Sequence, residues 1–314
     1  MILHHDKRFF EETLRAASQH SGINLVFVEK DYWITFVLSQ LAKSTYAEQC
    51  VFKGGTSLSK GYGLINRFSE DVDIAIIDER SKSGNEVKAI IRAVEKEMTS
   101  GLLEKNVDGV SSKGSRFRKS VFEYSSIDKR NAANKLIVEV NSFANPYPFQ
   151  KILIHSFVHD FLMQSGNETY SEKYNLQPFV VNILNKEQTL LEKLVSLIRC
   201  SFDENPVQSI ASKIRHFYDL YFLVNDPECE VFVQSEQFKM KFNEILLHDK
   251  KLFGNPTGWQ NKETTESPLI ADFEMLWKQL KDKYNTELSA LVYGDVPDEK
   301  IVARNFQLLI NSIR

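Results

Sequence analysis

The chain has 314 residues, 42% hydrophobic and 26% charged, which is the composition of a globular protein with one large or two modest cores. Its net charge of -3 excludes an overall basic signature for nucleic acid, and three scattered cysteines exclude a disulfide framework. No apolar run approaches the roughly 20 residues that cross a bilayer, and residues 1–10 lack the apolar core of a signal peptide. We therefore expect a cytoplasmic protein with no membrane partner.

Two helices are predicted before the first motif. Residues 7–18 place apolar side chains at helical spacing, Gly22 interrupts the pattern, and residues 27–41 continue it. The second helix carries the run Glu29-Lys30-Asp31. A chemical role for this run is one interpretation, but acids near the positive end of a helix are the simpler explanation.

The next stretch joins a short apolar strand to a glycine pair. Residues 50–52 are followed by Gly54-Gly55, by Thr56-Ser57 and by a predicted helix. Glycine lets the backbone approach a ligand closely, and the hydroxyl residues are predicted to cap the helix. The outward N–H groups of such a helix start form a phosphate site. The spacing of the G-x-x-x-x-G-K-[ST] phosphate loop is absent.

An acidic strand follows. In Asp71-Val72-Asp73 the period of two places both carboxylates on one face, about 6–7 Å apart. Such a pair can share Mg²⁺, with Mn²⁺ as an alternative, together with bound phosphate. Each feature alone is compatible with an ordinary turn or a solvated strand edge. Their succession favours phosphoryl or nucleotidyl transfer.

Residues 52–60 and 67–73 together resemble the AbiEii/AbiGii-type nucleotidyltransferase toxins, within the polymerase-β-like nucleotidyltransferase superfamily. The resemblance extends over roughly residues 25–225. It implies an enzyme that uses a nucleoside triphosphate and acts as the toxin of a toxin–antitoxin or phage-defence (abortive infection) pair. It also implies a separate antitoxin protein, and in related toxins the acceptor is tRNA.

Two further strands are predicted at residues 117–124 and 135–141. Glu139 points away from its neighbours Val138 and Val140. Because enzymes of the resembled superfamily carry a third acid on a later strand, the resemblance makes Glu139 the candidate for that catalytic and metal-binding acid. An exposed strand residue is the alternative.

The second half of the chain is predicted to be mostly helical, after a short strand at residues 178–184. Helices are expected at residues 188–202, 207–224, 235–248, 268–284 and 297–313. The resemblance assigns Lys193 to the active site, where it would contact phosphate, and it retains Asp219 in the segment Tyr218-Asp219-Leu220. His216 stands where the family usually has an acid. The alternatives are a solvated lysine and an Asp219–Arg215 pair one helical turn apart.

The sequence therefore predicts an α/β (α+β) protein. Residues 1–150 form a nucleotidyltransferase domain with a mixed sheet flanked by helices, and residues 151–314 form a mostly helical domain that closes the active-site cleft. The expected reaction is Mg²⁺-dependent transfer from a nucleoside triphosphate to an acceptor hydroxyl. A small-molecule or protein acceptor is one alternative, and a non-catalytic nucleotide- or partner-binding domain is another. The predicted metal ligands are Asp71, Asp73 and Glu139, the nucleotide-binding residues are Gly54, Gly55, Thr56, Ser57 and Lys193, and the catalytic residues are Asp71, Asp73, Glu139, Lys193 and Asp219.

Overall fold

A computed structural model describes residues 1–69, 71–77, 83–127 and 134–313, so Glu70 of the acidic motif lies outside the described residues. The chain divides into two compact units. The first comprises Met1–Tyr62 and Phe68–Leu184, and the second comprises Gly63–Arg67 and Asn185–Arg314. The first unit extends beyond residue 150 because two later strands belong to its sheet.

Over the described residues, an eight-stranded mixed sheet forms the centre of the first unit. Its strands are β1 (Cys50–Lys53), β2 (Asp71–Ile76), β3 (Leu103–Lys105), β4 (Ser112–Lys113), β5 (Phe117–Glu123), β6 (Lys135–Asn141), β7 (Phe149–Ile154) and β8 (Phe179–Leu184). The order is β3-β5-β6-β2-β1-β8-β7, with β4 paired to β5. The pairs β2–β6 and β1–β8 are parallel and the others are antiparallel. The predicted mixed sheet is confirmed.

Helices pack on this sheet because its strands alternate apolar and polar residues. The helices are α1 (Lys7–Ser21), α2 (Leu25–Lys43), α3 (Gly54–Lys60), α4 (Gly84–Met98), α5 (Phe157–Gln164) and α6 (Glu168–Lys173). Val72 of β2 shares one buried core with Val37 of α2 and Ile91 of α4. The apolar side chains of β2 thus point into this core, and its alternate residues Asp71 and Asp73 point to the opposite face.

The second unit is helical, as predicted. It contains α7 (Lys186–Cys200), α8 (Pro206–Ala211), α9 (Arg215–Val224), α10 (Pro227–Gln234), α11 (Glu236–Leu252), α12 (Pro268–Ala271), α13 (Phe273–Leu291) and α14 (Glu299–Asn311). Its core includes the packed rings of Phe217, Phe273, Trp277 and Phe306. None of the helices in the described ranges has the length and apolar character that crossing a bilayer requires.

Two of the predicted helices are each divided in the structure. The expected helix at 207–224 is wrong as a single element, because the backbone tightens between α8 and α9, where the N–H of Lys213 donates to the carbonyl of Ile210. The expected helix at 268–284 is interrupted at Asp272. The carboxylate of Asp272 accepts from the N–H of Met275 and so begins α13.

The segment Gly63–Arg67 belongs to the second unit although both flanking stretches belong to the first. Within the second unit, Arg67 forms a β-bridge with Val292, and the N–H of Tyr293 donates to the carbonyl of Asn66 at 2.9 Å. Main-chain hydrogen bonds therefore fix this short segment against a stretch more than two hundred residues later in the chain.

Candidate active site

Three acids lie on adjacent central strands of the first unit. In the parallel pairing of β2 with β6, Asp73 lies opposite Glu139 and Asp71 lies opposite Ile137. Directly opposed residues of neighbouring strands project to the same face, and strands are about 4.8 Å apart. Asp71, Asp73 and Glu139 therefore share one face, as the sequence predicted for the two aspartates.

The pKa values of two of these acids, Asp73 and Glu139, are raised. Burial, followed by the charges of Glu139 and Asp71, raises the pKa of Asp73 to about 7. Burial also raises the pKa of Glu139, against the opposing effect of the positive charges of Lys119 and Lys53. The three carboxylates thus repel one another, and a cation placed among them would be attracted strongly.

The glycine turn lies against this carboxylate group. Gly54 has a positive φ of 82°, and a Cβ at this position would overlap Oδ2 of Asp73. Only glycine therefore lets the start of α3 approach the Asp73 carboxylate this closely. Gly54 and Gly55 are both partly exposed, so the first turn of α3 remains accessible beside the acids.

The expected capping role of Thr56 and Ser57 is wrong. The N-cap of α3 is Lys53, and no side chain caps the helix. Thr56 and Ser57 lie inside the first turn and are buried. The Thr56 hydroxyl donates to the carbonyl of Asp71 at 2.5 Å, and the Ser57 hydroxyl donates to the carbonyl of Gly54 at 2.9 Å. The first bond fixes the glycine turn to the acidic strand, and the second lies within the turn itself.

The donor set suits a hard cation. No group of three or more His, Cys, Asp or Glu side chains within the described ranges is arranged to hold a metal ion. Mg²⁺ is usually bound by one or two protein carboxylates and completes its shell with water and substrate phosphate. Asp71 and Asp73 on one face of β2 fit this pattern, and Glu139 lies next to Asp73.

The two predicted residues of the helical half meet inside the second unit. Nζ of Lys193 lies 2.8 Å from Oδ2 of Asp219. Arg67 contacts both carboxylate oxygens of Asp219, with Nε to Oδ1 and Nη2 to Oδ2 each at 2.6 Å. Asp219 is fully buried, and Arg67 and Lys193 are nearly so. The alternative pairing of Asp219 with Arg215 is not observed, since Arg215 faces Glu287 at 3.4 Å.

The charges of this cluster hold Asp219 ionised. Burial alone would raise the pKa of Asp219, but Arg67 and Lys193 hold it well below its ordinary value. Burial and the charge of Lys193 lower the pKa of His216 well below its usual range, so His216 is neutral. The acid that the family usually has at the position of His216 is therefore replaced by a neutral side chain.

Comparison of the chain with protein-family models identifies its family. The model of the nucleotidyl transferase AbiEii toxin family of type IV toxin–antitoxin systems matches residues 37–307. The chain belongs to this family. Membership makes it a nucleotidyltransferase of the toxin class, and it confirms the resemblance inferred from residues 52–73.

Solved structures of similar proteins include JHP933 from Helicobacter pylori, at 17% identity and a TM-score of 0.46, covering 91% of this chain and 90% of that chain. Another is MenT4, a nucleotidyltransferase toxin from Mycobacterium tuberculosis, at 13% identity and a TM-score of 0.41, covering 96% of this chain and 99% of that chain. None of the curated proteins matches the chain in sequence.

Sequence reasoning missed three basic residues around the predicted sites of this AbiEii-family chain. Lys53 and Lys119 lie beside the acids in the first unit, and Arg67 binds Asp219 in the second. Strand alternation places Lys119 on one face of β5 with Phe117 and Val121, and only the pairing of Lys119 with Glu139 shows that this face carries the acids. Arg67 and Asp219 are 152 residues apart, and no local spacing indicates their contact.

The charged run in α2 of this family member has a structural role within the first unit. Asp31 forms a buried ion pair with Lys60 at 2.6 Å and accepts from the N–H of Phe157. Glu29 accepts from the Ser126 hydroxyl and from the N–H of Ile127. Asp31 thereby links α2 to the last residue of α3 and to the first residue of α5.

Proposed function

We propose that this AbiEii-family protein transfers a nucleotide from a nucleoside triphosphate to a hydroxyl group of tRNA, in a Mg²⁺-dependent reaction in the cytoplasm. A separate antitoxin would neutralise it, in a toxin–antitoxin or abortive-infection setting. The observation that carries the proposal is the placement of Asp71, Asp73 and Glu139 on one face, beside a glycine turn that has no room for a side chain.

Asp71 and Asp73 would hold Mg²⁺, with Mn²⁺ as an alternative. Glu139 is proposed as a third ligand that would have to move to reach the ion, since no three such side chains in the described ranges are arranged to hold one. When bound, the ion would neutralise charge on the phosphates and on the departing pyrophosphate. Oxygen ligands and substrate phosphate match the preference of this ion, which supports the assignment.

The first turn of α3 is proposed to bind the phosphates. Gly54 brings main chain, with no intervening side chain, to the edge of the acids, and Gly55 follows it in the partly exposed first turn. The hydroxyls of Thr56 and Ser57 are engaged by carbonyl groups, so these two residues would contribute through their main-chain N–H groups. Unpaired N–H groups at a helix start favour anionic oxygen.

One carboxylate among Asp71, Asp73 and Glu139 would orient the acceptor hydroxyl and accept its proton. A general base works best when its pKa lies near the operating pH. The pKa of Glu139 is raised towards the operating pH, and the pKa of Asp73 is raised to about 7.

Lys193 is proposed to contact phosphate, as the resemblance implies, and Asp219 to serve the same reaction by holding Lys193 in place. The 2.8 Å contact with a fully buried carboxylate supports the second role. Arg67 donates to both oxygens of the Asp219 carboxylate and so restricts its rotation.

The test is transfer of label from each of the four α-³²P nucleoside triphosphates to tRNA, to other RNA and to a protein extract. We expect label in tRNA that requires Mg²⁺ or Mn²⁺ and is lost in Asp71→Asn and Asp73→Asn. Label in protein or in a small molecule would favour the alternative acceptors. Absence of labelling and of nucleotide binding would support a non-catalytic domain. Growth arrest on expression, relieved by the product of the neighbouring gene, would test the antitoxin.

A further inference from the structure

A row of four charged side chains crosses the sheet of the first unit. Lys53 of β1 lies opposite Asp73 of β2, Asp73 lies opposite Glu139 of β6, and Glu139 lies opposite Lys119 of β5. Opposed residues share a face at every step of such a pairing. The row therefore has two acids in the middle and a lysine at each end.

The contact between Lys119 and Glu139 is loose. Nζ of Lys119 lies 3.8 Å from Oε2 of Glu139, and the two side chains are 28% and 23% exposed. Elsewhere in the same unit, Lys60 and Asp31 approach to 2.6 Å with side chains only 8% and 3% exposed. A long, partly hydrated ion pair contributes little stability, so Lys119 can exchange Glu139 for another anion at small cost.

The charge balance around the acids favours such an exchange. Among the described residues, the three acids Asp71, Asp73 and Glu139 share this face with two lysines, Lys53 and Lys119, so the acids outnumber the bases. A divalent cation among the carboxylates reverses this excess. The attraction that holds Lys119 to Glu139 then weakens, and the lysine is left beside a site where phosphate would be bound. Lysine binds phosphate as a mobile point charge.

We propose that Lys119 is a further substrate-binding residue, whose ammonium group moves from Glu139 to the triphosphate of the nucleotide when a divalent cation occupies the carboxylates. This inference rests on the proposed function, because it takes a nucleoside triphosphate as the ligand. It assigns the outer end of the row a role in binding substrate that neither sequence spacing nor family membership gave to it.

The test measures two affinities of Lys119→Met. The first is the affinity for a non-hydrolysable triphosphate analogue in Mg²⁺, which should fall about tenfold or more, as expected for loss of a charge-assisted hydrogen bond. The second is the affinity for Mn²⁺ without nucleotide, measured by electron paramagnetic resonance. It should stay the same or rise, because the variant removes a cation that competes for Glu139. Lys119→Arg should retain most of the nucleotide affinity.

Lys105→Met is the matched control. Lys105 lies on the adjacent strand β3, opposite Val121, and pairs with Glu123 at 3.4 Å and not with an acid of the row, so its replacement should change neither affinity. A general structural role for Lys119 would weaken both affinities together and would overturn the inference. So would a nucleotide affinity within twofold of wild type. If the wild-type protein bound no nucleotide at all, the proposed function itself would fail.

Discussion

Replacing Asp219 by Asn tests the buried charge cluster of the second unit. The substitution keeps the size of the side chain and removes the negative charge that faces Arg67 and Lys193 at 2.6 and 2.8 Å. Because Asp219 is fully buried and the two cations are 4% and 8% exposed, water cannot replace the lost charge. Breaking a buried pair in this way costs about 3–5 kcal/mol. That is a large part of the roughly 5–15 kcal/mol that stabilises a protein domain.

Urea unfolding followed by circular dichroism measures this loss. The matched control is Glu244→Gln, because Lys241 and Glu244 also approach to 2.8 Å but are 47% and 58% exposed. The control should lose less than about 1 kcal/mol. An Asp219→Asn variant as stable as this control would refute the reasoning, since burial would then add nothing to the pair.

The pH dependence gives a second check on the same variant. The pKa of Asp219 is lowered in the folded state. The stability that the Asp219 charge contributes is therefore fully present above the pKa of an unfolded aspartate, about 3.9. It is lost as the pH falls through the pKa of Asp219 in the folded protein. The stability gap between wild type and Asp219→Asn should narrow in acid, and a gap that widened there would contradict the assignment.

Three further predictions concern the first unit. Gly54→Ala should lose more stability than Gly22→Ala and should abolish nucleotide binding, because both glycines have positive φ but only Gly54 abuts Asp73; equal losses in urea unfolding would contradict this. Metal-free wild type should lose stability as the pH rises from about 4 to about 7, because the pKa of folded Asp73 is about 7 and the folded state holds the extra proton. Asp73→Asn should flatten that slope in urea unfolding with EDTA, and an unchanged slope would point to another group. Glu139→Gln should reduce turnover about a hundredfold with nearly unchanged nucleotide affinity, whereas unchanged turnover would identify a simple strand residue.

The acidic strand and the glycine turn could be predicted because their signals are local. A period of two fixes the face of Asp71 and Asp73, and a glycine pair before a helix indicates close backbone approach. The capping role of Thr56 was wrong because the strand carbonyl of Asp71, which the sequence does not place near it, takes its hydroxyl.

Other features depended on contacts between distant parts of the chain. Residues 151–177 mix polar and apolar side chains without a clear period, so β7, α5 and α6 were not predicted. The apolar positions Ile210, Ile214 and Phe217 continue at helical spacing across the turn between α8 and α9. The hydrophobic pattern of the sequence therefore did not indicate that the helix is divided there. The contacts of Asp219 required Arg67, from a segment that the resemblance treats as part of the acidic motif.

The path of residues 63–67 affects how this fold can be divided. Neither unit is a contiguous piece of the chain, because Gly63–Arg67 belongs with Asn185–Arg314. A fragment of residues 185–314 would lack Arg67 and would leave Asp219 with Lys193 alone. Proteolysis after residue 184 would likewise fail to free an intact helical unit. Recombination between genes of the family that exchanged this unit would have to transfer two separated stretches of coding sequence.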